Sequence, residues 1–522
     1  MKRIIIIAAA VLAGSAASAQ ERPVIPTKGS EDTKGIMSKA YWDIWNDGEQ
    51  ARIDKDIEAY RKADATFHTG DVKRGSSVKV RQVKSDFIFG ASAFNWDQLG
   101  NHESNVKYKN LFGSLFNRAT VPFYWQAFEP EYGRKRYDVA EDDTEQWWST
   151  VKNPEDQRFW RRPATNQIVD WCIQKGIEAH GHPLVWGSRS NQHPAWLKKE
   201  GIPAAQQAAL DSLETVRISG KKTRKPTAKG FGKMPQSEVY KLVPDYIKNF
   251  REKNDAHIEE LMTYYKGKIG SWDIVNESST DFGRGNEQTL YPLIKSSYGL
   301  MPADYTFHFF KTAEKFASKD LLMNINDYNV TDRYPSQIAH LLSRGTRIDV
   351  IGSQMHLFQP KQCLDIAAGK SPSPAKKRVD PETVRSFFDK VGAFGIPTCI
   401  SEVTISSPGS DEKGEMIQAI ITRNLYRIWF SQKSMMGITW WNVVDGCGLK
   451  GEPTVSGLFH RDMTPKTAFY ALDNLINHEW KTNLELKPDG NGDIRFRGFK
   501  GTYEVSWTDK KGVKHTETIT VR

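Results

Sequence analysis

The sequence predicts an α/β fold: a (β/α)8 TIM barrel with small β-rich N-terminal and C-terminal accessory modules. Three observations predict it. From Asp86 onward, eight short apolar runs recur with helix-length segments between them, the pattern of βα units in a parallel sheet. At 522 residues the chain is too long for an ordinary small domain and suits one large barrel with appendages. Two of the runs carry a glutamate at their far end, Glu277 and Glu402, and the C-terminal mouth of a barrel strand is where catalytic groups sit.

Taken in order, residues 1–19 combine Lys2-Arg3, an apolar run over 4–12 and Ala17-Ser18-Ala19 before Gln20. That is the build of a secretory signal peptide, so the chain is expected to be exported, to the periplasm or the medium. Residues 20–85 read as a small β-rich N-terminal module. Ile53, Ile57 and Tyr60 fall at helical spacing; Arg74-Gly75-Ser76-Ser77 then punctuates a strand pair, and 78–83 alternates apolar with polar. Residues 86–476 are the barrel, with strands expected at 87–93, 118–124, 177–183, 269–277, 321–327, 349–356, 396–403 and 437–444. The insert 203–244, rich in glycine and lysine, reads as a surface loop. Residues 477–522 form a second small β module, with strands at 494–499, 502–507 and 515–521 and a turn at Lys510-Lys511-Gly512. No later run is long and apolar enough to span a bilayer.

Composition narrows the function classes. The formal charge of +10 is spread along the chain, with local runs at 221–225 and 376–378. Such runs read as solvated loops, and no nucleic-acid module accompanies them. Attraction to an acidic polymer, such as a uronate-bearing polysaccharide, is the other use of that charge. Sixteen tryptophans suit either a large core or a surface that stacks on sugars. The four cysteines (Cys172, Cys363, Cys399, Cys447) are few for a disulfide scaffold, and Cys399 lies inside an expected core strand as a buried thiol.

Glu277 and Glu402 close the fourth and seventh expected strands, which face each other across a barrel mouth. Glycoside hydrolysis needs such a pair: two carboxyls about 5–5.5 Å apart for retention, about 6.5–9.5 Å for inversion. One glutamate at a strand end is ordinarily structural or solvated; two in apolar settings on facing strands point to catalysis. Strand alternation sends Asn276 and Glu277 to opposite faces, so both can serve one site only if the strand bends at its end.

At these positions the sequence resembles glycoside hydrolase family 10, the retaining β-1,4-xylanases. The resemblance lies in Trp272-Asp-Ile-Val-Asn-Glu277, Gly181-His-Pro-Leu-Val-Trp186, Asn326-Asp-Tyr-Asn329, Gly352-Ser-Gln-Met-His356 and Ile400-Ser-Glu402, within residues 86–477. It implies Glu277 as acid/base, Glu402 as nucleophile, and Asn276 bonded to the sugar 2-hydroxyl. It also implies His356 hydrogen-bonded to the nucleophile with Gln354 nearby, His182 and Trp186 lining the same subsite, and Trp441 as its roof. A hydrogen bond from His356 would hold Glu402 as the anion. Asn326 and Tyr328 are expected to shape the cleft, Tyr328 with a stacking face. No cofactor or metal is implied. The sequence departs from the family at the second strand, where an expected Glu-Asn-Glu-x-Lys-Trp run reads Val121-Pro-Phe-Tyr-Trp125, and Gly187 follows Trp186 in place of His. A second tryptophan in the loop after the eighth strand is replaced near Gly448-Leu449.

Two other readings compete. His180-Gly181-His182, with His356 and Asp445, resembles the metal-binding histidine pair of amidohydrolase barrels, although that pair opens the first strand and this one lies on the third. A secreted carbohydrate-binding protein with little or no turnover is the second. The expectation is retaining hydrolysis of β-1,4 bonds in xylan or a related plant β-glycan, or in a different or decorated oligosaccharide. The partner is then a polysaccharide or oligosaccharide, with no nucleic acid and no membrane span. A single chain is the default expectation.

Overall fold

The structure is a computed structural model that describes residues 22–73, 75–187, 192–211, 238, 241–283, 293–295, 300–329, 331–370 and 379–522. The expected signal segment, both basic runs and most of the 203–244 insert lie outside these residues.

The chain enters through two helices, α1 (Lys39–Ile44) and α2 (Asp47–Arg61), then strands β1 (Lys62–His68) and β2 (Val78–Ser85). Barrel strands follow: β3 (Ile88–Ser92), β4 (Arg118–Pro122), β5 (Glu178–His182), a two-residue β6 (Val185–Trp186) and β7 (Ser271–Asn276). After a short hairpin, β8 (Leu293–Lys295) with β9 (Leu300–Pro302), come β10 (Leu322–Asp327), β11 (Val350–Leu357), β12 (Thr398–Ile405) and β13 (Met435–Trp440). Strands β3, β4, β5, β7, β10, β11, β12 and β13 pair in parallel, and β13 returns to β3, so the barrel closes. All eight expected barrel strands are present. They were legible because parallel strands buried on both faces read as continuous apolar runs; every residue of β3, β4, β7 and β11 is buried.

Helices cover the outside. The helix Glu412–Ser431 starts where Asp411 accepts a hydrogen bond from the Gly414 N–H at 2.8 Å, satisfying one of the open amides of its first turn. Nearly its whole length is buried, because the N-terminal arm lies across its outer face. Ile53 and Ile57 of α2 are buried there, and Arg427 reaches out to Asp54, Glu479 and the Gln50 side chain.

The chain ends correct one expectation. Strands β14 (Asn483–Leu486), β15 (Asp493–Phe499), β16 (Gly501–Thr508) and β17 (Lys514–Val521) do not form a module of their own. β1 pairs antiparallel with β15, and β2 lies between β14 and β16, so the two expected modules are one β unit woven from both ends of the chain. Nor do β1 and β2 pair with each other as a hairpin. The reason is a shared apolar face: Val78, Val80, Ile494, Phe496, Tyr503 and Val505 bury one another in a small core apart from the barrel's. Burying each such side chain contributes about 1.5–3 kcal/mol, which neither end would gain alone. Gln82 turns inward and Val83 outward; the amide earns its buried place by accepting from Thr482 N at 3.0 Å and donating to Lys500 O at 3.2 Å. All four cysteines are buried free thiols. No helix among the described residues is long and apolar enough to cross a membrane.

Candidate active site

The strand β7 ends in a bend. Asn276 is its last residue, and Glu277 adopts a left-handed backbone with φ of 56°. Its amide still reaches across to Asn326 O at 2.7 Å, so the bend is held by the neighbouring strand. A straight strand would send the two side chains to opposite faces; the left-handed residue turns both into one cavity. That conformation is unusual for a glutamate and concentrates at functional sites. The Glu277 carboxylate accepts from Gln354 Nε2 at 3.1 Å on one oxygen and from Trp186 Nε1 at 3.1 Å on the other.

Glu402 projects from β12, 4% exposed. One oxygen accepts from Asn326 Nδ2 at 2.9 Å, and the other lies 3.2 Å from His356 Nε2. His356 Nδ1 lies 2.9 Å from the Thr404 hydroxyl, so the ring is held between Thr404 and Glu402. The Asn326 amide also donates to Asn276 Oδ1 at 3.0 Å and accepts from Ser401 Oγ at 2.5 Å, which fixes which way it faces. Sequence reading gave Asn326 only a shaping part; it is the crosspiece that ties the ends of β7 and β10 to the middle of β12.

Nine residues singled out in the sequence (Asn276, Glu277, Glu402, His182, Trp186, Gln354, His356, Trp441 and Tyr328) line one cavity of about 280 Å³ at the strands' C-terminal mouth; Asn326, the other cleft residue expected, lies beneath it. Trp441 stands edge-on to Phe94, His182 and His356, with centroids 4.8, 5.4 and 6.2 Å away. Tyr328, at 38% exposure, sits at the open rim.

The electrostatics correct a second expectation. Burial pushes the Glu402 carboxyl up, to about 8; His182 and the Asn326 hydrogen bond pull against this, while Glu277 and Asp273 push the same way. The contact with His356 therefore does not by itself keep Glu402 ionised. Nearby Asp327 is pushed up to about 7 by burial, helped by Glu277 and opposed by bonds from the Ser279 and Asn329 amides. Asp327 thereby ties down the loops that follow β7 and β10.

The departures from the family pattern have structural answers. On the segment after β4, Phe123 is buried against Trp272 and Tyr265, Tyr124 faces the cavity, and Trp125 donates to Glu129 Oε2 at 2.8 Å. Glu129 also caps Gly133 N at 2.8 Å, a structural use. Opposite them, Trp160 donates to Gly448 O at 2.9 Å, and Leu449 lines the cavity. Arg161, Arg162, Phe94, Phe358 and Glu452 also line it and were not found in the sequence. They lie mostly on loops, where no periodicity marks a side chain's direction.

The metal set read from the sequence does not assemble. Asp445 is held by Lys466 Nζ at 3.0 Å and by Gly457 N at 2.7 Å, and it does not line the cavity. His180 and His182 instead share Asp273, whose carboxylate oxygen lies 3.1 and 2.6 Å from their ring nitrogens; the three donor atoms fall within 4.8 Å of one another. Zinc ligands on bonds of about 2.0–2.1 Å at tetrahedral angles stand roughly 3.3 Å apart. At 2.6 Å His182 and Asp273 are at hydrogen-bond distance, closer than two ligands of one zinc ion would stand. Burial alone would raise Asp273, but the two histidines overcome it and hold the carboxyl well below its ordinary range. Gly181 is needed between the histidines because a Cβ there would stand 2.1 Å from the Trp272 ring.

A closed parallel barrel with two glutamates on facing strands, set in a cavity walled by tryptophan and tyrosine, defines a glycoside hydrolase. Comparison with known proteins sharpens the class. The family model described as glycosyl hydrolase family 10 matches residues 89–223 and 232–475. Similar proteins include endo-1,4-beta-xylanase B of Thermotoga neapolitana, 21% identical over 364 residues that cover 67% of this chain and 84% of that protein. Endo-1,4-beta-xylanase B of Paenibacillus barcinonensis is 25% identical over 66% of this chain and 90% of its own length. Anti-sigma-I factor RsgI6 of Acetivibrio thermocellus is 25% identical over 67% of this chain, and the match spans 36% of that protein. Among solved structures, xylanase B from Clostridium stercorarium F9 aligns over 74% of this chain and 96% of its own, with 19% identity and a TM-score of 0.48. This chain belongs to glycosyl hydrolase family 10.

Proposed function

We propose that the chain hydrolyses β-1,4 bonds of xylan or a related β-glycan with retention, by double displacement between Glu277 and Glu402. The observation that supports this is the contrast in how one cavity holds its two carboxyls. Glu402 is buried and fixed by Asn326 and His356, as suits a nucleophile; Glu277 stands on a bend between Gln354 and Trp186, as suits a group that must meet a leaving oxygen.

Because burial and mutual repulsion raise Glu402, the pair keeps one proton near neutral pH. A glycosidic oxygen arriving beside Glu277 draws that proton to Glu277, and the donors on Glu402 accept its charge. Glu277 then protonates the departing oxygen while Glu402 bonds to the anomeric carbon. Once the ester forms, the Glu402 charge is gone, and the Glu277 carboxylate can take a proton from water. That water breaks the ester, returning Glu402 as the carboxylate. Asn276, held by Asn326, is placed to meet the neighbouring sugar hydroxyl, and Trp186, Tyr328 and Trp441 offer ring faces or edges to sugar C–H bonds. The xylanases among the relatives support the choice of xylan. The basic, apolar and small-residue order of residues 1–19 supports export, tested by a mature N-terminus at Gln20.

The test is the stereochemistry of the first product. Proton NMR during hydrolysis of a xylo-oligosaccharide is expected to show the β-anomer first, and an α-anomer formed first would refute retention. One relative is named an anti-sigma-I factor, which favours testing a second reading, a carbohydrate-binding protein with little turnover. Release of nitrophenol from an aryl β-xyloside, abolished by Glu402→Ala, decides between the two.

A further inference from the structure

On the wall formed by Tyr124 and Phe94, two consecutive arginines face the cleft. Arg161 and Arg162 are 1% and 6% exposed, and neither makes an ion pair among the described residues. Consecutive side chains of an extended loop point opposite ways; Arg161 has a left-handed φ of 61°, and both line the same cavity. The Arg161 amide is held by Gln98 Oε1 at 2.7 Å, and its guanidinium binds Asn95 Oδ1 at 3.2 Å and Cys447 O at 2.8 Å. Arg161 is thus a clasp between loops.

Arg162 is different. Its planar guanidinium lies over the Tyr124 ring, with Cζ 3.6 Å from the centroid. Nη1 donates to Arg161 O at 2.7 Å, and among the described residues Nε and Nη2 donate to nothing. The carboxylate that shares this wall, Glu452, turns one oxygen to Leu449 N at 3.0 Å and Asn442 Nδ2 at 3.2 Å; its charge acts on Arg162, but the two make no ion pair. A buried guanidinium with no direct ion pair is costly, and its flat, stacked edge matches a carboxylate in two-point geometry. Tyr124 places that edge beside the reacting groups: its ring centroid is 5.5 Å from His182 and 5.9 Å from Trp186, which in turn bonds Glu277.

We infer that Arg162, stacked on Tyr124, is a specificity residue that receives a sugar-borne carboxylate, so that the cleft selects glycan carrying a uronic acid over the neutral chain. This rests on the glycosidase reading above and names the substrate class of that same site.

The experiment is titration calorimetry on the Glu402→Gln protein, which removes turnover. The probes are a xylo-oligosaccharide bearing one glucuronate branch and the same oligosaccharide with that carboxylate reduced to the alcohol. The acid form is expected to bind about tenfold to a hundredfold more tightly. Adding Arg162→Gln should erase the difference, and Arg162→Lys should restore part of it, since the charge returns without the flat fork. Equal affinity for the two forms, a preference that survives Arg162→Gln, or no measurable binding of either form overturns the inference. Turnover of an aryl β-xyloside by the unaltered protein is read separately, so failure of the hydrolase reading is distinguishable from failure of this one.

Discussion

Glu402→Gln should destroy turnover and yet make the protein more stable, by an amount that depends on pH. The substitution replaces one carboxylate oxygen by an amide in a site 4% exposed, and it leaves Asn326 and His356 as neighbours. In the folded chain burial raises this carboxyl from its ordinary 4.5 to about 8. The folded state therefore holds the proton more tightly than the unfolded one. Its contribution to stability is full below about 4.5, is lost as pH rises, and is gone above about 8. At about 1.4 kcal/mol per pH unit, the upper bound on the loss is on the order of 5 kcal/mol. An amide carries no such penalty. Glu402→Gln is accordingly expected to match the unaltered protein near pH 5 and to exceed it by roughly 2–5 kcal/mol near pH 9. With an unfolding entropy of about 2 cal/mol/K per residue, this is a gain of roughly 2–5 °C in Tm for a unit of this size. Thermal melts of both proteins from pH 5 to 9 measure it. A difference in Tm that stays flat or shrinks as pH rises would refute the burial of an uncompensated carboxyl at this position.

The same site gives two kinetic expectations. Glu277→Ala should slow natural oligosaccharides by about 10²–10⁴ while sparing bond cleavage in aryl xylosides with good leaving groups, which need no acid; equal losses on both substrates would remove Glu277 from that role. The pH profile of kcat/KM should fall on its basic side near 8, where the pair gives up its last proton and the acid step loses its donor; activity still climbing through pH 9 would contradict this. A structural expectation concerns the chain ends. Deleting residues 483–522 takes away every partner of β1 and β2 together with most of the small core they share. It should lower Tm and expose dye-binding apolar surface, and an unchanged melt would show that the barrel stands without the woven unit.

What was legible in the sequence follows from where the energy is local. Barrel strands buried on both faces announce themselves as apolar runs; Glu277 directly follows one of them, and Glu402 lies inside another, three residues before its end. The pairing of Lys62 with Phe499 had no such mark, because the residues that select it lie at opposite ends of the chain and share only an apolar face. Arg161 and Arg162 carry no mark in the sequence that sets them apart; only the fold buries them. The raised Glu402 was missed for a related reason. One contact, with His356, was visible as a motif, whereas the burial that outweighs it is a property of the whole cavity. The bend at Glu277 was anticipated as a requirement, and its left-handed φ is the form it takes.

That backbone twist has a bearing on how such a barrel would decay. At position 277 the polypeptide would rest more easily with glycine or asparagine, by about 1–2 kcal/mol, and at 402 with an uncharged amide. Each loss of chemistry would therefore be rewarded by a firmer scaffold. A copy released from selection for catalysis should drift not toward unravelling but toward a sturdier, silent vessel.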